Sequence, residues 1–378
     1  MNREMLLAYI EISKSNLLHN LTALRALAKD VTKIVVAIKG NAYGHDQNII
    51  AKILEPKVDY FFVNSALEFI ELRKISKKRT FILGYVPASL LESVVSNTSI
   101  LTFFSLAHLF EINNIARKNG VVQEVHMPID AHLGREGFLE NEWKHVLIES
   151  LQYKHIKLTG LYAHFANIED THNTTHATKQ IRLFQKAIKL AARCGYPHLV
   201  THISATSGLL VHEKNNGINP LVRIGIGVFG LWPSEHVEFL YKKKIKLLPV
   251  LSFKTRIVLI KELPPLHTVG YGLSYTTRKH TQVAVLPVGY ADGIDRKLSN
   301  KGEVLIHGTR CPIIGRISMN MMTVDVSHLT EPKVGDEAVL LGGQKNAHIK
   351  AEEIATWAET INYEIVTRLS PLLPRVVV

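Results

Sequence analysis

The 378-residue chain lacks most of the features that mark secreted, membrane-spanning or metal-clustered proteins. It has two cysteines, Cys194 and Cys311, far apart in sequence and too few for a disulfide framework or a thiolate metal cluster. No stretch approaches the roughly twenty uninterrupted apolar residues of a membrane span, so no membrane association is expected. Met1-Asn2-Arg3-Glu4-Met5 has neither the basic start nor the long apolar run of a signal peptide, which makes a reducing cytoplasm the expected setting. Charged residues are scarce, at 21% against 46% hydrophobic, which argues against disorder and for a large core. Acidic residues are the scarcer sign: 45 Lys and Arg against 33 Asp and Glu leave a net charge of +12. The basic clusters, Arg73-Lys74, Lys77-Lys78-Arg79 and Lys242-Lys243-Lys244, are not interleaved with aromatics, so a solvated basic face is expected and no nucleic-acid partner. His172 and His176 have a helical metal-ligand spacing, but no third ligand accompanies them; a surface pair and no metal are expected.

What is present is a repeated unit. Short apolar runs recur at Ile34–Ile38, Tyr60–Val63, Thr80–Leu83, Ile100–Phe104, Val125–Ile129, Leu158–Phe165, Leu199–Ile203 and Val222–Phe229, rich in β-branched and aromatic residues with little polar alternation. Such runs suit strands buried on both faces. Between them lie helical patterns: Leu17, Leu18, Leu21, Leu24 and Leu27 form one stripe, preceded by Ser13 or Ser15 as an N-cap. The segments at Ala66–Leu72 and Ile181–Ala191 read the same way. Eight strands alternating with helices point to an α/β fold of the (β/α)8 barrel type, over residues 1–242, rather than to an open dinucleotide-binding sheet, whose glycine fingerprint is missing. Residues 243–378 carry strand-like runs at Leu251–Ile260, Gln282–Val288, Glu303–Ile306, Cys311–Val326 and Glu337–Leu341, with only Ala351–Glu359 helical, and read as a mostly β domain. The first strand-like run, about residues 8–12, is expected to pair with that domain.

Chemistry in such a barrel collects at the carboxyl ends of the strands. Lys39 stands there after the first run, and a lysine held out of bulk water becomes a reactive neutral amine, able to form a Schiff base with a carbonyl cofactor. The other strand ends bring Tyr43, Asp130 to Arg135, His164, Thr206 and Arg223 with Gly225-Ile226. Ser204-Ala205-Thr206-Ser207-Gly208 and Arg223-Ile224-Gly225-Ile226-Gly227 supply hydroxyls and glycine N–H groups at the strands that commonly hold a phosphate. A strand-one lysine with a phosphate pocket suggests a phosphorylated aldehyde, and pyridoxal 5'-phosphate is the candidate cofactor.

Over essentially its full length the chain resembles the bacterial alanine racemases. The segments that carry the resemblance are Val36-Ala37-Ile38-Lys39-Gly40-Asn41-Ala42-Tyr43-Gly44-His45, Gly134–Phe138, Tyr162–Ala166, Val222–Ile226, Val269–Gly272, Leu286–Gly293 and Gly315–Met319. The resemblance implies that Lys39 carries the cofactor and that Tyr271 is the opposed catalytic base. It implies a homodimer with shared active sites, in which Tyr271 and Met319 come from the other subunit. Arg223 would face the pyridine nitrogen, and His164 would lie against the ring. Tyr43, Thr206, Gly225 and Ile226 would hold the phosphate. Arg135, Met319 and Asn320 would meet the substrate amino acid, with Tyr290 lining the access channel. It further implies racemisation of alanine, supplying D-alanine for peptidoglycan.

The chain departs from the usual family pattern at four places. Pro128 stands where many members have a carbamylated lysine that orients the motif arginine; Ala131-His132-Leu133 follow Asp130 unusually; Asn320 replaces a common aspartate; and Pro371 replaces a tyrosine that narrows the entrance. The last of these leads us to expect some activity on serine. Two other readings compete. A related decarboxylase would have a cysteine in an active-site motif, which neither Cys194 nor Cys311 has, and a non-catalytic cofactor carrier would consist of the barrel alone.

Overall fold

A computed structural model describes residues 5–28, 33–211 and 220–378. The first four residues, on which part of the signal-peptide reading rests, lie outside them.

Eight parallel strands form the barrel: β2 (Lys33–Ala37), β3 (Tyr60–Val63), β4 (Thr80–Ile82), β5 (Ser99–Thr102), β6 (Gln123–Pro128), β7 (Ile156–Tyr162), β8 (Val200–His202) and β9 (Leu221–Ile224). They are laddered in the order β8-β7-β6-β5-β4-β3-β2-β9. The gap between β8 and β9 is bridged where the Arg223 N–H donates to the Ser204 carbonyl at 3.1 Å. The eight apolar runs thus mark the eight barrel strands. The two-residue period explains their double burial: Val35 and Ala37 pack with Phe62, Phe81 and Ile100 in one cluster, while Ile34 and Val36 join the larger core under the helices. The helix Lys14–Leu27 is capped by Ser13, whose Oγ accepts the Asn16 N–H, and buries Leu17, Leu21 and Leu24. The eighth run ends earlier than its sequence suggests. Gly225, at φ −112° and ψ −108°, turns the chain out of the strand, and Ile226–Phe229 is a tight 3-10 turn.

β1 (Ala8–Ile12) stands outside the barrel, antiparallel to β10 (Leu251–Arg256) and parallel to a last strand, Arg375–Val377. Among the described residues after 242, most regular structure is strand; these strands form sheets of three and two and, together with β1, one of seven. Two long runs divide. Leu251–Ile260 is β10 followed by the separate strand Leu259–Leu263, and Cys311–Val326 is interrupted by a loop in which Gly315 takes φ +75°. Ala351–Ala358 is helical, but so is Asn362–Thr367, contrary to the expectation of a single helix; six residues are too few to show a 3.6-residue period.

Candidate active site

β2 delivers Lys39 into a left-handed turn. Gly40, Asn41, Ala42, Tyr43 and Gly44 have φ of 60°, 53°, 54°, 53° and 80°. Each non-glycine residue there costs about 1–2 kcal/mol, so the turn persists only because its surroundings hold it. Within the turn, the Ala42 N–H donates to the Ile38 carbonyl at 2.8 Å and the Gly44 N–H to the Gly40 carbonyl at 3.0 Å. From outside, Glu68 Oε1 accepts the Gly40 N–H at 2.7 Å while its Oε2 accepts those of Asn64 and Ser65. Gly44 is pressed against the helix Asn362–Thr367, where a Cβ would lie 1.9 Å from the Val366 carbonyl oxygen.

The turn opens onto a cavity of about 370 Å³ lined by Lys39, Tyr43, His164, Thr206, Arg223, Gly225 and Ile226 together. Every residue expected to hold the cofactor is thus on one wall or another of the same space. Lys39 Nζ sits 5.3 Å from the Phe62 ring centroid. Burial, and then the positive charges of Arg135 and Arg223, lower its pKa from the ordinary lysine value, in the direction of a reactive amine.

Arg223 is buried and fully engaged. It donates to His202 Nδ1 at 2.5 Å, to the Ala163 carbonyl at 2.8 Å and to His164 Nδ1 at 3.3 Å, with the Tyr162 ring 5.4 Å away. Since His202 Nδ1 accepts, its proton is on Nε2, which donates to His126 Nδ1 at 2.8 Å. All three histidines are kept neutral. Burial, aided by Arg223, brings His126 and His164 down to about 3 and holds His202 well below its usual value. Burial also draws Arg223 down to about 10, so it is cationic at neutral pH.

At the other end of the cavity, Thr206 Oγ1 accepts the N–H groups of Gly225 at 3.1 Å and Gly227 at 3.4 Å. These glycines are required by close approach: a Cβ on Gly225 would lie 2.7 Å from the Tyr43 hydroxyl, and one on Gly227 2.5 Å from Thr206 Cγ2. Burial pushes the Tyr43 phenol up to about 12, which keeps it a hydrogen-bond donor. Glu169, Ser207 and Tyr363 also line this end, with Ser207 Oγ donating to Glu169 Oε1 at 2.7 Å. Sequence reasoning assigned them no role. Ser207 is inside a segment it singled out, whereas Tyr363 comes from the short helix it did not detect.

Five expected residues are not on the cavity wall, four of them in the β domain. Tyr271 is 71% exposed, Met319 55% and Tyr290 43%, and Asn320 is exposed as well. They share one loop cluster of the β domain: Gly270 and Gly272 pack on Arg316, and the Tyr290 and Ala291 N–H groups donate to the Ser318 and Met319 carbonyls. Arg135 is likewise exposed and off the wall, though its charge acts on Lys39 and His164. In place of a group at Pro128, the adjacent Glu136 clasps the Arg135 guanidinium through both oxygens. His172 precedes the helix Thr175–Arg193 and meets the His236 ring at 4.9 Å, while His176 on that helix lies 6.4 Å from His132, so the two are not a pair. Among the described residues no cluster of His, Cys, Asp or Glu could hold a metal ion, and no helix is long and apolar enough to cross a membrane.

Comparison with known proteins finds relatives over nearly the whole chain. Residues 12–233 match the family model described as alanine racemase, N-terminal domain, and residues 250–377 match alanine racemase, C-terminal domain. Alanine racemase 2 of Caldanaerobacter subterraneus subsp. tengcongensis is 34% identical across 97% of this chain and 94% of its own. The alanine racemase structure from Clostridium difficile 630 superposes with a TM-score of 0.91 at 33% identity, covering 99% of this chain and 96% of that one. An alanine racemase from Bartonella henselae, solved with covalently bound pyridoxal phosphate, superposes at 0.87 with 25% identity over 99% of this chain and all of its own.

Proposed function

The chain belongs to the alanine racemase family, and we propose that it interconverts L- and D-alanine with pyridoxal 5'-phosphate held in the barrel cavity. The observation that carries this is the convergence of Lys39, Arg223 and the Tyr43–Thr206–Gly225 cradle on one 370 Å³ space. The residues fit the cofactor. A reactive amine, the Tyr43 and Thr206 hydroxyls beside the Ile226 backbone, and a buried cation share the wall.

When bound, the cofactor offers an aldehyde to an amine and a conjugated ring that takes up electron density from a breaking Cα–H bond. The chain supplies the rest. Lys39 Nζ, with its lowered pKa, anchors the cofactor and accepts or returns the proton on one face of the substrate. Arg223 would stand opposite the ring nitrogen and, being itself positive, would disfavour a proton there. Tyr43, Thr206 and the Gly225-Ile226 backbone would hold the phosphate, and neutral His164 would stand beside the ring. Arg135, steadied by Glu136, meets the substrate carboxylate.

Tyr271 acts as the base on the opposite face, and we assign it, with Met319, Asn320 and Tyr290, to the cavity of a second copy in a homodimer. The exposure of that loop cluster and its absence from the cavity of its own chain support this. The barrel unit ends near residue 242 and the β unit follows. Proline at position 371 takes up less volume than a tyrosine would, which supports a wider gate that admits serine. The free thiols of Cys194 and Cys311 fit a reducing cytoplasm, where D-alanine would feed peptidoglycan synthesis.

The test is L-alanine in D2O with the purified protein. D-alanine carrying deuterium at Cα supports racemisation; release of CO2 and an amine would replace it with decarboxylation, and a bound cofactor without proton exchange with a carrier.

A further inference from the structure

The helix Thr175–Arg193 buries a stripe of Ala177, Gln180, Phe184, Ala187 and Ala191, spaced to lie on one face. Gln180 is the polar member of that stripe and is completely buried. A buried amide brings an acceptor oxygen and two donor hydrogens, each costly to leave unmade. Both kinds are used here, and all on backbone. Oε1 accepts the Ala166 N–H at 3.0 Å, while Nε2 donates to the His164 carbonyl at 3.1 Å and to the Ala131 carbonyl at 2.6 Å. The partners fix which way the amide points, since an N–H must face its oxygen and carbonyls its nitrogen.

Those partners belong to two loops. His164 and Ala166 follow β7, whereas Ala131 follows β6 and opens the segment that carries Arg135. The Arg135 loop takes its shape from bonds within itself. Asp130 Oδ1 accepts the N–H groups of Leu133 at 2.9 Å and Gly134 at 3.0 Å, and the Asp130 N–H donates to the Phe138 carbonyl at 3.1 Å. They hold φ of +64° at His132 and +72° at Gly134, a shape that persists only while it is held. Gln180 then fastens this loop to its neighbour. The neighbour has anchors of its own, because Arg223 donates to the Ala163 carbonyl at 2.8 Å and to His164 Nδ1 at 3.3 Å.

We propose that Gln180 is a positioning residue for substrate binding: its amide sets where the Arg135 loop stands relative to His164, and so where Arg135 meets a substrate carboxylate. The inference rests on the role proposed above for Arg135. Glu136 holds the guanidinium from within the loop, and Gln180 holds the loop itself from the helix layer. Shifting a binding group by about 1 Å from a distance can cost up to about 10²-fold, so a residue that never touches substrate can govern its affinity.

Gln180→Met, close in length and apolar, removes every bond of the amide; Gln180→Glu is isosteric and keeps the acceptor for the Ala166 N–H. In Gln180→Met, KM for L-alanine should rise at least about tenfold, with kcat and cofactor affinity changing less than about threefold. Gln180→Glu should fall between it and the parent chain, and carries the same comparison should Gln180→Met not fold. A glutamine that only supports the fold would lower Tm and the active fraction without moving KM. Hydrogen exchange of the cofactor-free chain reads the tie directly: amides of residues 129–138 should exchange at least about fivefold faster in either variant. Unchanged KM in a folded variant, or unchanged exchange over residues 129–138, would each overturn the proposal. A parent chain that made no D-alanine would sink the racemase reading by itself, and the exchange comparison would still decide whether Gln180 places the loop.

Discussion

The two halves of the candidate site are built in opposite ways. On the barrel side, every functional group is fixed before a ligand arrives: Arg223 makes bonds to His202, Ala163 and His164, and the turn after Lys39 is held by Glu68 and the C-terminal helix. On the β-domain side, Tyr271 and Met319 project from loops and are more exposed than buried. A group that is to act in a dry cavity gains its electrostatic strength from exclusion of water. The barrel residues have that exclusion within one chain. Tyr271 does not, and on the proposed reading the contrast teaches that the chain would hold a cofactor site by itself and half of a proton-transfer site.

The largest test of this contrast removes the barrel side's reactive amine. Lys39→Ala should lower racemisation by at least about 10³-fold and abolish covalent attachment of the cofactor, read by absorbance and mass spectrometry. Covalent attachment surviving in that variant would break the assignment. Tyr271→Phe should lower racemisation by about 10²–10⁴-fold without moving Tm, because an exposed side chain contributes little to folding. Mixing the two inactive variants sharpens the point. If Tyr271 serves a second copy, a mixed dimer has one site with both Lys39 and Tyr271, and activity returns; if it serves its own chain, mixing restores nothing.

Gly44→Ala sets the pre-organised side against its own scaffold. A Cβ 1.9 Å from the Val366 carbonyl oxygen, at φ +80°, should lower stability by roughly 2–4 kcal/mol in denaturant titration and weaken cofactor binding with it. Acid should act on the same half. His45 is depressed to about 4, and His126 and His164 to about 3, against about 6.5 in the unfolded chain. The unfolded state therefore takes up protons that the folded state refuses. The stability is fully present above pH 6.5 and is lost as pH falls toward 4 and 3, by up to about 1.4 kcal/mol per pH unit for each imidazole. An apo-protein whose urea midpoint is flat between pH 7 and pH 4.5 would contradict this. The smallest expected effect concerns the gate. With Pro371 leaving it wide, kcat/KM for L-serine should fall within about a thousandfold of that for L-alanine, and a larger ratio would sink the idea.

The sequence made the barrel legible because doubly buried strands leave continuous apolar runs, and Lys39, His164, Thr206 and Arg223 stand at the ends of those runs. What it concealed depends on distance or handedness. Nothing in Gly-Asn-Ala-Tyr-Gly announces five consecutive left-handed residues; Glu68 and Val366 impose them from far along the chain. The relay from Arg223 through His202 to His126 joins three strands, and each histidine alone reads as an ordinary core residue. Tyr363 escaped notice because its helix has only six residues. Glu136 was overlooked as the support of Arg135 because the family pattern directs attention to position 128, where this chain has proline.

The left-handed turn also sets a clock. Its last residue, Gly44, gives its carbonyl to Arg375 Nη2 at 3.0 Å and lies against Val366, so the loop is completed by a residue 331 positions further along the chain. During synthesis the strands of the barrel emerge in sequence while Lys39 waits for its final shape. A nascent chain stalled before residue 366 would thus have most of the barrel and an unset cofactor loop. On the proposed reading, a cofactor held beside this loop would be captured only after residues 366 and 375 are in place.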